Sequence, residues 1–137
     1  MNNVLFQKRS ILLLLTILFV ACTANSQTFT CTDYNNYEDS PQIVQKFKKE
    51  ALGLKSTLEF YDNSVKLTFY MADGNTEVAV LDKVSNNSYK YAIQRGKKKT
   101  EVTISLETVA GYIKSFTLRS YSNSKLTTTM AFKRKVF

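Results

Sequence analysis

The chain contains no histidine and no tryptophan, and only two cysteines, four glycines and one proline in 137 residues. Each scarcity removes something. Without histidine there is no imidazole to activate a nucleophile or to complete a zinc site, so no metal site is expected. The cysteines are Cys22 and Cys31. As argued below, Cys22 is either lost with a leader or lipidated, so Cys31 has no intramolecular partner; it pairs with another chain or is a buried thiol. A catalytic Cys31 would need a base that the chain lacks. Low glycine and proline argue against a low-complexity chain, and no internal repeat or linker divides it.

Acidic residues are also few, 11 against 19 Lys and Arg. Glu59, Glu77, Glu101 and Glu107 fall on the polar side of alternating segments, and Asp62, Asp73 and Asp82 fall at or near turns. They read as solvated surface charge rather than as carboxylates converging for acid–base work. Asp73-Gly74-Asn75 is too short for a calcium loop and reads as a turn. No glycine-rich phosphate loop or nucleophile elbow is present. The expectation is a non-enzymatic protein with no catalytic residues and no cofactor.

What is present begins with a leader. Lys8 and Arg9 form a charged start, Ile11–Val20 is an apolar run broken only by Thr16, and small residues follow from Ala21 to Ser26. That run is the length of a signal-peptide core and short of the ~20 residues a membrane helix needs. Two processing routes stand. Ala24-Asn25-Ser26 is an A-x-S cleavage site that would leave Gln27 as the first residue. Alternatively, Phe19-Val20-Ala21-Cys22 resembles the lipobox of bacterial lipoproteins, in which Cys22 would carry lipid. The expectation is residues 1–26 as signal peptide and 27–137 as one exported domain, periplasmic or secreted; the alternative is a membrane-anchored lipoprotein.

A domain of that size buries roughly 65% of its unfolded surface and can hold a core unaided. Residues 27–39 are polar, and Thr28–Thr32 can add a short strand. One helix is predicted at 41–52: Ser40 is an N-cap, Pro41 suits the first position, and Ile43, Val44, Phe47, Ala51 and Leu52 make one apolar stripe ended by Gly53. From Ser56 the period becomes two. Seven runs follow, at 56–61, 65–71, 77–84, 88–95, 99–107, 112–120 and 125–133, joined by short turns such as Asp73-Gly74-Asn75, Asn86-Asn87 and Ala110-Gly111. Connections this short make antiparallel neighbours. Leu58, Phe60, Val65, Leu67, Phe69, Val78, Val80, Tyr89, Tyr91, Ile104, Phe116, Leu118 and Phe132 are assigned to the apolar face. The predicted fold is mostly β: an up-and-down meander of 7–8 strands curled into a barrel and preceded by one short helix.

A capped helix followed by a meander of amphipathic strands in an exported chain resembles the lipocalin-like (calycin-type) barrel proteins, over roughly residues 40–133. Lipocalins usually open their first strand with Gly-x-Trp. Its counterpart here is Gly53-Leu54-Lys55, with Lys in place of Trp, and the Arg that packs on that Trp corresponds to Arg134. The resemblance implies a ligand-holding barrel. The competing architecture is a cystatin-like curled sheet gripping the helix.

Two kinds of partner follow. Phe60, Phe69, Tyr89, Tyr91, Phe116 and Phe132 point to one side and are the candidate lining for a small hydrophobic or amphipathic ligand, or simply the filling of the barrel. Arg95-Gly96-Lys97-Lys98-Lys99 and Lys133-Arg134-Lys135 are candidate contacts for an anionic surface or glycan, or solvated tips. Nucleic acid is not expected, since export and the absence of a recognition module argue against it. Contact with a membrane is expected only if Cys22 is lipidated. The leading function is a ligand-binding protein; the alternative is an envelope or extracellular interaction protein with a solid barrel and a basic surface.

Overall fold

The structure, a computed structural model, describes residues 26–134. Residues 1–25 of the leader, Cys22 among them, and Lys135 lie outside the described residues. Eight antiparallel strands close into a barrel in sequence order: β1 (Gln27–Asn36), β2 (Lys55–Phe60), β3 (Ser64–Tyr70), β4 (Thr76–Ser85), β5 (Ser88–Arg95), β6 (Lys98–Val109), β7 (Tyr112–Ser122) and β8 (Lys125–Arg134). The helix α1 (Pro41–Ala51) connects β1 to β2. The expected order is therefore corrected: the helix follows the first strand instead of preceding the barrel. The Thr28–Thr32 segment grows into a ten-residue strand because both neighbours accept it. It pairs with β2 through Gln27–Thr30 and with β8 from Phe29 to Asn36, and so closes the barrel. Closure also overturns the cystatin-like alternative, since the sheet wraps on itself and not around the helix.

The core is the inner face of this ribbon. Phe29, Leu58, Val65, Leu67, Leu81, Ile104, Phe116 and Phe132 are buried almost completely. Phe116 stacks on Phe132 with ring centroids 4.7 Å apart and meets Phe29 edge-on at 5.0 Å. Such pairs add about 0.5–1.5 kcal/mol each to the burial of the rings. The turn chemistry follows the sequence. Ala110-Gly111 and Asn123-Ser124 take positive φ at both central positions, the conformation that matches the twist of a two-residue hairpin.

One strand is phased differently from its sequence assignment. Leu67 pairs with Ala79 and Val65 with Leu81, which puts Ala79 and Leu81 inside. Val78 and Val80 face outward and are 55% and 52% exposed. Thr76–Leu81 is apolar on both sides from Val78 onward, so period two alone cannot choose the face.

Successive hairpins alternate between the two ends of the barrel. At one end, hereafter the mouth, stand α1 and the β3–β4, β5–β6 and β7–β8 turns. The wall between β4 and β5 has the shortest ladder. Its register covers only Asp82–Lys90, Lys83–Tyr89 and Ser85–Ser88, so Thr76–Leu81 and Tyr91–Arg95 have no partner across it.

Candidate functional site

The mouth is roofed on one side by the helix. Ser40 caps it by accepting from the Ile43 N–H, Pro41 follows, and Lys48 and Lys49 occupy the last turn, where cations oppose the helix dipole. The helix ends abruptly because Gly53 adopts φ +89°. Its end is pinned to β1: the Gly53 N–H donates to the Cys31 carbonyl at 3.0 Å, and the Cys31 N–H to the Leu54 carbonyl at 2.8 Å. An ion pair between Lys48 Nζ and Asp33 at 3.1 Å adds a third tie at a bulge in β1. Only Ala51 of the helix is buried. Ile43 and Phe47 of the apolar stripe remain more than two-fifths exposed.

Under this half-docked helix lies an open cleft of about 540 Å³, lined by Tyr34, Phe47, Glu50, Ala51, Leu54, Met71, Ala72 and Asp73. Four separate segments build it: β1, α1, the residue leading into β2, and the β3–β4 turn. Tyr34 and Leu54 also pack against the barrel core, which joins the cleft floor to the interior. Asp73 is held by its own turn, accepting from the Asn75 N–H and side-chain amide, both at 2.9 Å. A second, smaller cleft of about 190 Å³ lies at the β5–β6 tip between Ile93, Arg95, Lys98 and Thr100.

The six residues singled out from the sequence are distributed as follows. Phe116 and Phe132 are fully buried in the ring cluster, and Phe69 meets Phe132 at 5.7 Å. Tyr89 is 5% exposed and lies 6.1 Å from Phe60. Burial raises the Tyr89 pKa above its ordinary value, because the phenolate would lose its water. Tyr91 departs from the expected burial. It keeps the inward phase but is 38% exposed, because the β4–β5 seam is open beside it. None of the six lines the larger cleft. The residues that do line it were missed for a physical reason: they converge only in the folded chain. The one local signal was the helix stripe itself, with Phe47 on it.

The basic clusters are also divided. Lys99 and Lys90 both bind Glu101, at 2.7 and 3.2 Å, and Lys99 first, then Lys90, hold the Glu101 pKa below the usual carboxylate value. Arg134 lies over the Tyr112 ring at 5.8 Å. Arg95 and Lys98 stand directly opposite each other on the inner face. Compared with known proteins, the chain matches no protein-family model and no curated protein.

Proposed function

We propose that this chain is an exported, non-enzymatic, lipocalin-like protein that holds a small hydrophobic or amphipathic ligand at the helix-roofed mouth of its barrel. The observation that carries this reading is the cleft under α1, whose apolar residues come from four segments and which opens beside a helix face left half-exposed. Burying Phe47, Met71 and Leu54 against a ligand would stabilise the complex by about 25 cal/mol for each Å² of apolar surface removed from water. Sites of this kind are concave, mostly apolar and of a few hundred Å³. The packed ring cluster beneath the cleft supports placing the ligand at the mouth and not at the barrel centre.

The envelope interaction reading keeps one specific observation in its favour. Val78, Val80 and Val84 are exposed along β4, an apolar strip of the sort that marks contact surfaces. The two readings separate by experiment. The uncharged apolar dye N-phenyl-1-naphthylamine is titrated into the purified chain and its emission followed. Saturable enhancement, weakened about tenfold or more by Phe47→Ser, is expected. Phe47 is already 43% exposed, so its loss leaves the fold standing. No saturable enhancement, or an equal response in Phe47→Ser and Val80→Ser, would remove the cleft from consideration.

A further inference from the structure

Arg95 and Lys98 flank the Gly96-Lys97 turn at the mouth and form a cross-strand pair on the inner face. The unbroken register from Tyr89–Ile104 through Tyr91–Val102 and Ile93–Thr100 to Arg95–Lys98 fixes that orientation. Both charges therefore border the concave side, where with Ile93 and Thr100 they line the smaller cleft. Like charges placed directly opposite in a sheet destabilise it. Three cations of the surface are compensated, Lys48 by Asp33 and Lys90 and Lys99 by Glu101; what sets Arg95 and Lys98 apart is that they face each other across one ladder and line one cleft. Arg95 and Lys98 pair with no carboxylate among the described residues. Glu77 stands where a continued ladder would set it opposite Arg95, but the β4–β5 register ends at Asp82–Lys90 and no ion pair forms.

We propose that Arg95 and Lys98 bind the anionic head group of an amphiphile whose apolar part occupies the cleft under the helix. The inference rests on the proposed ligand-binding function and adds the chemical class of the ligand: an alkyl chain ending in a carboxylate, phosphate or sulfate. Three observations converge on it. The planar guanidinium of Arg95 offers two parallel donors to an oxyanion, and the Lys98 ammonium adds a point charge beside it. The larger cleft carries Glu50 and Asp73, which repel an anion, so the head group is directed to the far side of the mouth. Met71, just past the end of β3, and Arg95, on β5, are two strands apart, roughly 10 Å at ordinary strand spacing and more across the open seam. A medium-length alkyl chain spans that gap. With Lys8 and Arg9 in the leader, the domain from Gln27 keeps 17 of the 19 basic residues against all 11 acidic ones, an excess that draws anions towards it in addition.

The test is displacement of N-phenyl-1-naphthylamine from the full chain by decanoate, decyl phosphate, decanol, decyltrimethylammonium and inorganic phosphate, each below micelle-forming concentration. The two anionic amphiphiles are expected to compete about tenfold more strongly than decanol, and the cationic one more weakly than decanol. Arg95→Gln/Lys98→Gln should reduce decanoate to the strength of decanol and leave decanol unchanged. Lys97→Gln/Lys133→Gln, which removes the same charge from the turn and the outer face, should leave decanoate at full strength. Equal competition by decanol and decanoate, or equal loss in both double variants, overturns the head-group assignment while leaving the cleft as a binding site. Inorganic phosphate competing as strongly as decyl phosphate overturns the amphiphile in favour of a free oxyanion. Failure of the dye and of every alkyl compound to bind overturns both proposals.

Discussion

Cys31 shows how one side chain couples the barrel to its solvent. It is buried on the inner face of β1 beside Phe132, its N–H and carbonyl tie the helix end, and its thiol donates to the Asp33 carbonyl at 3.4 Å. Burial pushes its pKa above the ordinary thiol value; the Asp33 backbone contact opposes this and the Asp33 charge adds to it. The sign of the consequence follows from linkage. Below the unfolded pKa, about 8.5, both states hold the proton and pH has no effect through this group. Above it the unfolded chain releases its proton first, so stability falls as pH rises until the folded pKa is passed. Cys31→Ala removes that dependence. At neutral pH it should be less stable than the wild type by about 1–2 kcal/mol, from the small cavity it leaves. That deficit should shrink between pH 7.5 and 10 as the wild type alone pays the ionisation penalty. Urea midpoints of the two proteins across this range check it, and a constant gap would remove burial as the source of the shift. The same thiol also marks what one sequence can and cannot disclose. A lone cysteine without a base reads as inert, but its place against Phe132 comes from the closing pair of strands.

At the scale of elements, the strands do not hold equally. β6 and β7 share an extended register from Thr100–Ser122 to Val109–Tyr112, interrupted by one bulge, whereas β4 and β5 share three pairs. Backbone groups of Thr76–Leu81 and Tyr91–Arg95 that point into the seam have no ladder partner, and such groups open to solvent at low cost. Amide hydrogen exchange should therefore lose protection first along the seam edges of β4 and β5 and last at the centre of β6–β7. Uniform protection across β4–β5 would show the seam to be closed in solution. The same elements show what the sequence made legible. Where one side of a strand is apolar and the other polar, as in Val102-Thr103-Ile104-Ser105-Leu106, the phase was readable and the structure agrees. In β4 the run Val78-Ala79-Val80-Leu81 is apolar on both sides, and only pairing with Val65 and Leu67 decides which side is inside. The threonines of β1 concealed a full strand because polar residues face outward on it and two neighbours supply its hydrogen bonds. The cleft was hidden more thoroughly, since Tyr34, Phe47, Leu54 and Met71 are far apart in the chain and meet only once the barrel has closed.

For the molecule as a whole, the inside–outside pattern bears on where it works. The outer face carries Lys66, Lys90, Lys99, Glu101, Thr103, Arg119 and Lys133, each set by register opposite the inward series. A barrel that crosses a membrane presents the reverse, an apolar outer band about 25 Å tall around a polar interior. The charged positions of this exterior depart from that pattern, and under the proposed lipoprotein alternative the lipid would be carried by the segment before the barrel. The start of β1 constrains that segment: Gln27 pairs with Leu58, so the sheet begins at the residue that A-x-S cleavage would expose. Processing at Ser26 therefore removes no pairing residue, and lipidation at Cys22 would leave only residues 22–26 as a tether. A chain beginning at Gln27 should melt at the same temperature as one beginning at Cys22, whereas one beginning at Asp33 loses the Phe29 ring, the β1–β2 ladder and most of the barrel's closure. Exposing that much apolar core leaves the Asp33 chain without a cooperative transition. The three melting curves, together with the mass of the mature N-terminus, check the argument at both ends. A cooperative melt from the Asp33 chain would mean that Gln27–Thr32 are dispensable and that the sheet holds its core without the β1–β2 ladder, and a mature mass retaining residues 1–21 would end both proposed processing routes.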